Sequence, residues 1–320
     1  MRTMNTFLSL LVVSMVCIGC VRQISLKDAL NYEYLMMDPE EYQGRDKKLR
    51  EADEESLNQL FLATYQHGNF ALSRYYLSIG ANLPNVDLNK KEKEEYIRKL
   101  AKFQGIDDYR DLLFESFSRF PELFSWEVEF GNGQTYTALT HFAYALNPEN
   151  FREIVKLCDD VDLVDEDGRT TLSRLLMRVD GINDKKEKAK ILLDAGADPS
   201  FPLPEGRNIL HYFNWWPIEE DYSEILEIIR ESNVDFNKQD NGGETPLHKA
   251  VFVFSFGLST NSVAYVRFLL ENGADKYLAD RVGVLPVYLI DMYERGFKYA
   301  TAEEIAARKE IMRQLEELLE

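Results

Sequence analysis

Cysteine is scarce: three residues in 320, at positions 17, 20 and 158, are too few for a disulfide framework. Basic side chains are scarce too, with 37 Lys and Arg against 55 Asp and Glu, a formal charge of −18 and a pI near 4.8. Neutralising phosphates takes clustered Lys and Arg, so the deficit argues against nucleic acid as a partner and against docking on anionic lipid by charge. A basic protein partner fits better. No H-E-x-x-H, G-x-S-x-G or P-loop occurs, and Gly131-Asn132-Gly133 lacks the third glycine of a dinucleotide loop. Nothing therefore points to an enzyme or a cofactor. His67 and His141 are isolated and have no second ligand at helical spacing, which disfavours a metal site. The acidic stretch Asp159–Gly168 lacks the D-x-D-x-D-G order of a calcium loop and reads as a solvated hairpin. Core material is not lacking: 45% hydrophobic and 12% aromatic residues describe a folded chain.

No apolar run approaches the ~20 residues of a membrane-spanning helix; the longest, Phe7 to Gly19, holds 13. That length matches the apolar core of a secretory signal. Its end, Cys17-Ile18-Gly19-Cys20, resembles the lipobox of bacterial lipoproteins, although Cys17 stands where Leu is usual and Arg2 is the only charged side chain before the run. The resemblance implies a signal peptide over 1–19, acylation of Cys20, and a periplasm-facing lipoprotein of the bacterial envelope, its outer membrane above all, that touches membrane only through the lipid. Residues 20–56 are polar and read as a tether or an N-terminal cap. Cys158, on the apolar face of Ile154-Val155-Lys156-Leu157-Cys158, reads as a buried structural thiol.

From there on the chain repeats. Asp240-Asn241-Gly242-Gly243-Glu244-Thr245-Pro246-Leu247-His248-Lys249-Ala250 is followed by Val266-Arg267-Phe268-Leu269-Leu270-Glu271-Asn272-Gly273-Ala274-Asp275. This resembles the ankyrin repeat: a hairpin turn, a short helix opened by T-P-L-H, a second helix with V-x-x-L-L, and G-A-D leading into the next hairpin. Thr caps the first helix, Pro suits its first turn, and Gly takes the left-handed position after the second helix. The same order recurs from Asp167 to Asp198, from Gly206 to Asp235, in Thr137-Ala138-Leu139-Thr140 closing at Asp160-Val161-Asp162, and in Gly283-Val284-Leu285-Pro286-Val287-Tyr288. The opening apolar residue falls at Leu139, Leu172, Leu210, Leu247 and Val287, at spacings of 33, 38, 37 and 40. Upstream, residues 63–82 read as the second half of another repeat, and the gap of 80 from Ala81 to Val161 places a degenerate repeat over 90–124. The fold expected is an all-α ankyrin-repeat solenoid over 57–320, with about seven units including caps. The amphipathic stretch from Ala302 to Leu319 closes it. His211 and His248 hold the T-P-L-H position, where the resemblance implies a ring bridging backbone groups.

Partners of ankyrin proteins contact the hairpin tips and the two residues ending each first helix. Carried onto this chain, those positions are Tyr144 and Ala145, Met177 and Arg178, Trp215 and Trp216, Phe252 and Val253, and Met292 and Tyr293, with Asn241 and Glu244 at a hairpin. Solvent-facing positions have no packing reason to be aromatic, whereas interface hot spots are rich in Trp, Tyr and Arg. The opposing reading is that Trp215-Trp216 and Phe252 to Phe256 fill space under the inserts at 212–222 and 251–263. An exported ankyrin array on a lipid anchor resembles the immunity proteins that neutralise type VI secretion lipase effectors. That likeness implies a non-enzymatic protein that binds a lipase-type toxin. Two other readings stay open: a periplasmic ankyrin protein protecting an envelope enzyme, and a secreted effector binding a host protein.

Overall fold

The computed structural model describes residues 29, 35–38, 40, 46–85, 88–101, 107–129, 133–177, 184–215, 223–253, 260–291 and 302–319. The apolar run 1–19 and Cys20 lie outside them. Among the described residues no helix is long and apolar enough to cross a membrane. The chain divides into two compact parts, residues 1–123 and 124–320, each taken by itself below.

In the first part a one-turn helix α1 (Lys47–Arg50) precedes the antiparallel pair α2 (Glu54–Gln66) and α3 (Phe70–Ile79). The Asp53 side chain accepts the Ser56 amide at the start of α2, and the Asn69 side chain accepts that of Leu72 at the start of α3. Each cap satisfies an amide that the helix itself leaves over. Leu57, Leu60, Phe61, Leu72, Tyr76 and Leu77 fill the seam between the two helices, with the Thr64 and Ser73 hydroxyls 3.0 Å apart inside it. The Asn69 amide also donates to the Leu35 and Met37 carbonyls at 3.0 and 2.9 Å, which ties the preceding segment to α3. The degenerate repeat is a second helix pair, α4 (Lys90–Ala101) and α5 (Asp107–Arg119), joined inside by Tyr96 Oη and Ser116 Oγ at 2.6 Å.

The second part opens with a feature the helical pattern does not announce: a two-stranded antiparallel hairpin, β1 (Glu127–Glu129) with β2 (Thr135–Thr137). Helix pairs follow. They are α6 (Ala138–Ala145) with α7 (Pro148–Val155), α8 (Thr171–Met177) with α9 (Lys185–Asp194), the 3-10 helix Ile209–Trp215 with α10 (Ser223–Glu231), α11 (Pro246–Val253) with α12 (Thr260–Glu271), and α13 (Tyr288–Asp291) with α14 (Ala302–Leu319). Leu139, Leu172, Leu210 and Leu247 are at most 1% exposed, as a residue opening each inner helix should be. Burying one such side chain is worth about 1.5–3 kcal/mol. Val287 at the end of the series is only half-buried. The first helix of the third pair is 3-10 rather than α. Its aromatic sequence is weakly helical, and Pro217 disfavours helical geometry at the residue before it.

Three of the hairpins share one design. Asp165, Asp240 and Asp280 each accept two backbone amides on Oδ1 at 2.8–3.1 Å, from the second and fourth residues beyond. The Gly three residues after each Asp is left-handed, with φ of 71°, 79° and 86°. Adjacent hairpins are stitched tip to tip, Asn241 N–H to Glu205 O at 2.7 Å and Arg281 N–H to Gly242 O at 3.1 Å. The histidines add a second stitch. Thr245 N–H donates to His248 Nδ1 at 3.1 Å, which leaves Nε2 to donate to Val284 O of the next hairpin at 3.0 Å. Asn208 N–H, His211 and Glu244 O repeat the arrangement at 3.2 and 3.3 Å.

Two expectations change. In the turn closing α7 the acceptor position falls two residues earlier than expected, five residues after the end of the helix where the turn after α9 has four. Asp160, not Asp162, accepts an amide two residues on, as Asp198, Asp235 and Asp275 do. Cys158 is half-buried rather than sealed, and donates to Asp160 O at 3.1 Å while burial pushes its thiol up to about 12.

Burial holds the His211 ring neutral, its pKa lowered to about 4. An unfolded histidine titrates near 6.5, so the unfolded chain takes up the proton first as pH falls. The stabilisation is complete above about pH 6.5, declines down to about pH 4, and amounts to about 3 kcal/mol. We expect His211→Gln to flatten the stability profile in that window by that amount relative to wild type in urea titrations. Parallel profiles would refute the assignment.

Candidate protein-interaction site

The inner helices and their hairpins bring a row of side chains together along the second part of the chain. At one end the Tyr136 and Tyr144 rings meet edge to face at 5.7 Å, and the Arg174 guanidinium lies 4.7 Å over Tyr136. Arg174 is 5% exposed and Asp165 6%; they pair at 2.6 Å, and a second guanidinium nitrogen reaches Asp167 at 2.5 Å. Arg169 contacts the Met177 sulfur and stands 5.6 Å over the Tyr212 ring, while Arg207 lies 5.8 Å from the same ring. Glu205 accepts from both arginines. Arg207 reaches Asp240 at 3.3 Å, and Lys249 pairs with Asp240 and Glu244. Phe252 follows at 39% exposed. Guanidinium over phenol is attractive, and its worth grows as water is excluded.

The predicted contact residues divide into four groups. Tyr144 and Met177 are half-buried on this row, with Phe252 exposed beyond them. Asn241 and Glu244 sit on the hairpin. The Asn241 amide is spent on Glu205 O, and the Glu244 carboxylate is half-buried against Lys249, so Glu244 already serves its own repeat. Trp215 and Val253 are placed by their backbones alone, each the last residue of an inner helix. Arg178, Trp216, Met292 and Tyr293 lie outside the described residues.

A regular sequence signal underlies the polar part of the row. A base stands nine residues after the hairpin Asp in Asp165/Arg174 and Asp240/Lys249. Both members change together in Leu203/Tyr212, where an apolar residue replaces the acid and an aromatic the base. The acidic stretch 159–168 is accordingly not a simple solvated hairpin, because Asp165 is buried and charge-paired.

Residues 242–281 match the family model of the ankyrin repeat. That stretch spans a hairpin, α11, α12 and the following turn. The ankyrin pattern of capped first helix, bridging histidine and left-handed glycine is thus present in atomic detail. The fold class is all-α, with stacked ankyrin-repeat helix pairs and hairpins. Ankyrin repeats are protein-interaction modules, and protein binding is the general role they bring to this chain. Among the described residues no group of His, Cys, Asp and Glu could hold a metal ion. His67 Nδ1 bonds the Ala63 carbonyl of its own helix at 2.8 Å.

Removing Arg174 leaves a buried carboxylate without its counter-charge, which costs far more than an exposed pair is worth. We expect Arg174→Met to lower unfolding stability by about 3–5 kcal/mol. Adding Asp165→Asn should recover most of that loss, since Asn keeps the oxygen that accepts the two hairpin amides. Equal stability of single and double variants in denaturant titrations would argue against charge pairing.

Proposed function

We propose that this chain is an envelope lipoprotein that binds and blocks another protein along the inner-helix row, with an antibacterial type VI lipase effector as its target. The observation that carries the binding surface is the row in which half-buried Tyr144 and Met177 and exposed Phe252 recur at the ends of successive inner helices, above the buried Tyr212. Aromatic and thioether groups recur there, interleaved with Arg169, Arg207 and Lys249. A single repeat offers too small a patch for tight binding; a row across four repeats supplies the anchors that hot spots require. Occlusion needs no catalytic group in the binder. The choice of a toxin target rests on the resemblance of an exported repeat array to immunity proteins. Acylation rests on Gly19-Cys20 closing a 13-residue apolar run. The overall charge of −18 favours a target with a basic rim.

Two experiments test the proposal. Affinity capture with the mature chain from its native cells, followed by mass spectrometry, should return a lipase encoded beside it. Replacing Trp215 and Trp216 by Ala, or Phe252 by Ala, should then weaken that partner by about 2–4 kcal/mol, roughly 30- to 700-fold in Kd, with an unchanged helical spectrum. Lys190→Ala, whose side chain pairs with Glu224 on the outer helices, is the control and should bind normally. Normal calorimetric binding by the tryptophan variant would make those residues packing groups. For the anchor, Cys20→Ser should abolish labelling by a fatty-acid analogue and release the chain from membranes. Equal labelling of variant and wild type would exclude acylation there.

A further inference from the structure

Two turns of the stack place side chains of the same shape at the same joint. In the turn after α10, Asn237 stands two residues beyond Asp235, whose carboxylate accepts the Asn237 N–H at 2.8 Å. The Asn237 side chain clasps the turn after α12 with both of its ends: Oδ1 accepts the Asp275 N–H at 2.6 Å, and Nδ2 donates to Gly273 O at 2.8 Å. In the turn after α7, Asp162 holds the corresponding place, two residues beyond Asp160, which accepts its N–H at 2.9 Å. Asp162 Oδ2 accepts the Asp198 N–H at 2.9 Å, as Asn237 Oδ1 accepts that of Asp275. Gly196 stands two residues before Asp198 as Gly273 stands before Asp275, and both glycines are left-handed, with φ of 96° and 90°. The second half of the clasp is missing. Asp162 Oδ1 is buried and has no hydrogen-bond partner.

An ionised carboxylate has the outline of the amide but carries an acceptor where Asn237 carries a donor. By equivalence with Gly273, the group waiting at that position is the Gly196 carbonyl oxygen. Two acceptors facing each other away from water repel, and a buried oxygen left unpaired costs its desolvation besides. Burial above all raises the Asp162 pKa; the Asp198 amide opposes the rise, and the Asp198 and Asp160 charges add to it. Both of those charges are acidic, one on the turn packed against Asp162 and one on its own. The Cys158 thiol beside them donates to Asp160 O and stays neutral. A proton on Oδ1 removes the conflict, because it restores a donor with the geometry of an amide nitrogen.

We propose that Asp162 carries a proton on Oδ1 in the folded chain and donates it to Gly196 O, making an acid-tightened joint between the α6–α7 pair and the α8–α9 pair. The joint answers acid in the opposite sense to His211. The folded carboxyl takes up its proton at a higher pH than the unfolded one, which titrates near about 3.9, so its stabilisation is complete below that pH and is lost as pH rises through the folded value. It lies inside the stack and is independent of what the inner-helix row binds. Asp162→Asn supplies the donor at every pH. In urea titrations of the full chain this variant should be more stable than wild type at pH 7 by about 2- to 10-fold in the folding equilibrium constant, the worth of one hydrogen bond, and the advantage should shrink as pH falls towards about 4. Carboxyl carbon-13 NMR should show Asp162 of the wild type titrating above the ordinary carboxylate range. The reverse change, Asn237→Asp, should install the same response in the turn after α10, losing stability at pH 7 and regaining part of it in acid. An Asp162→Asn chain no more stable than wild type at pH 7, an advantage that does not change with pH, an Asp162 carboxyl titrating within or below the ordinary range, or an Asn237→Asp loss indifferent to pH would each overturn the proposal.

Discussion

The hairpins at 203–207, 240–244 and 280–284 have backbone carbonyls and amides that are satisfied by the neighbouring repeat rather than by their own helices, and the stacked architecture depends on these joints. An unpaired backbone group shielded from water is costly, so the joints must be specific. Three kinds serve. Tip amides reach tip carbonyls, as Arg281 reaches Gly242; side chains such as Asn237 clasp the turn ahead; and His211 and His248 span from a helix start to the next hairpin. The histidine does this with one neutral ring, Nδ1 taking an amide hydrogen and Nε2 giving its own away. Where Thr140 replaces histidine, its shorter side chain reaches instead to the Thr171 hydroxyl at 2.8 Å, which keeps a joint but shifts the partner from backbone to side chain.

The same economy shapes the inner-helix row. Residues next to the bridging position face the hairpin of their own repeat, so they are held by the turn they help to fix. Arg174 and Lys249 pair with the hairpin Asp, and Tyr212 lies between two arginines where no such Asp exists. Under the proposed function the exposed groups of this row sit on a preorganised floor, which lowers the entropy lost on binding.

Much of this was legible in the sequence. The T-P-L-H and G-A-D signals located the inner leucines, the histidine role and the left-handed glycines, because each is a local requirement met by one residue type. Three things were not. The turn at Asp159–Asp162 holds an extra residue, and D-V-D imitates G-A-D closely enough to hide the shift until the amide acceptors at Asp160 and Asp198 are compared. The 3-10 helix at Ile209–Trp215 has the apolar pattern of an α-helix over so short a span that periodicity cannot separate the two. The hairpin β1–β2 is only three residues a strand, below the length at which alternation is a signal. At the candidate site the first-helix ends were read from position, but Arg169, Arg207 and Tyr212 were not. Their meaning lies in a pairing nine residues apart that shows only when repeats are laid side by side.

The central claim is that side-chain bridges from one repeat to the next hairpin hold the stack together, and native-state hydrogen exchange on His248→Ala addresses it directly. Loss of the bridge to Val284 O should loosen the hairpin Asp280–Val284, so the Arg281 amide should exchange at least about tenfold faster, equivalent to ~1.4 kcal/mol of local opening. The amides of the distant hairpin Asp165–Arg169 should keep their wild-type rates. An Arg281 amide exchanging at the wild-type rate in the variant would contradict the account.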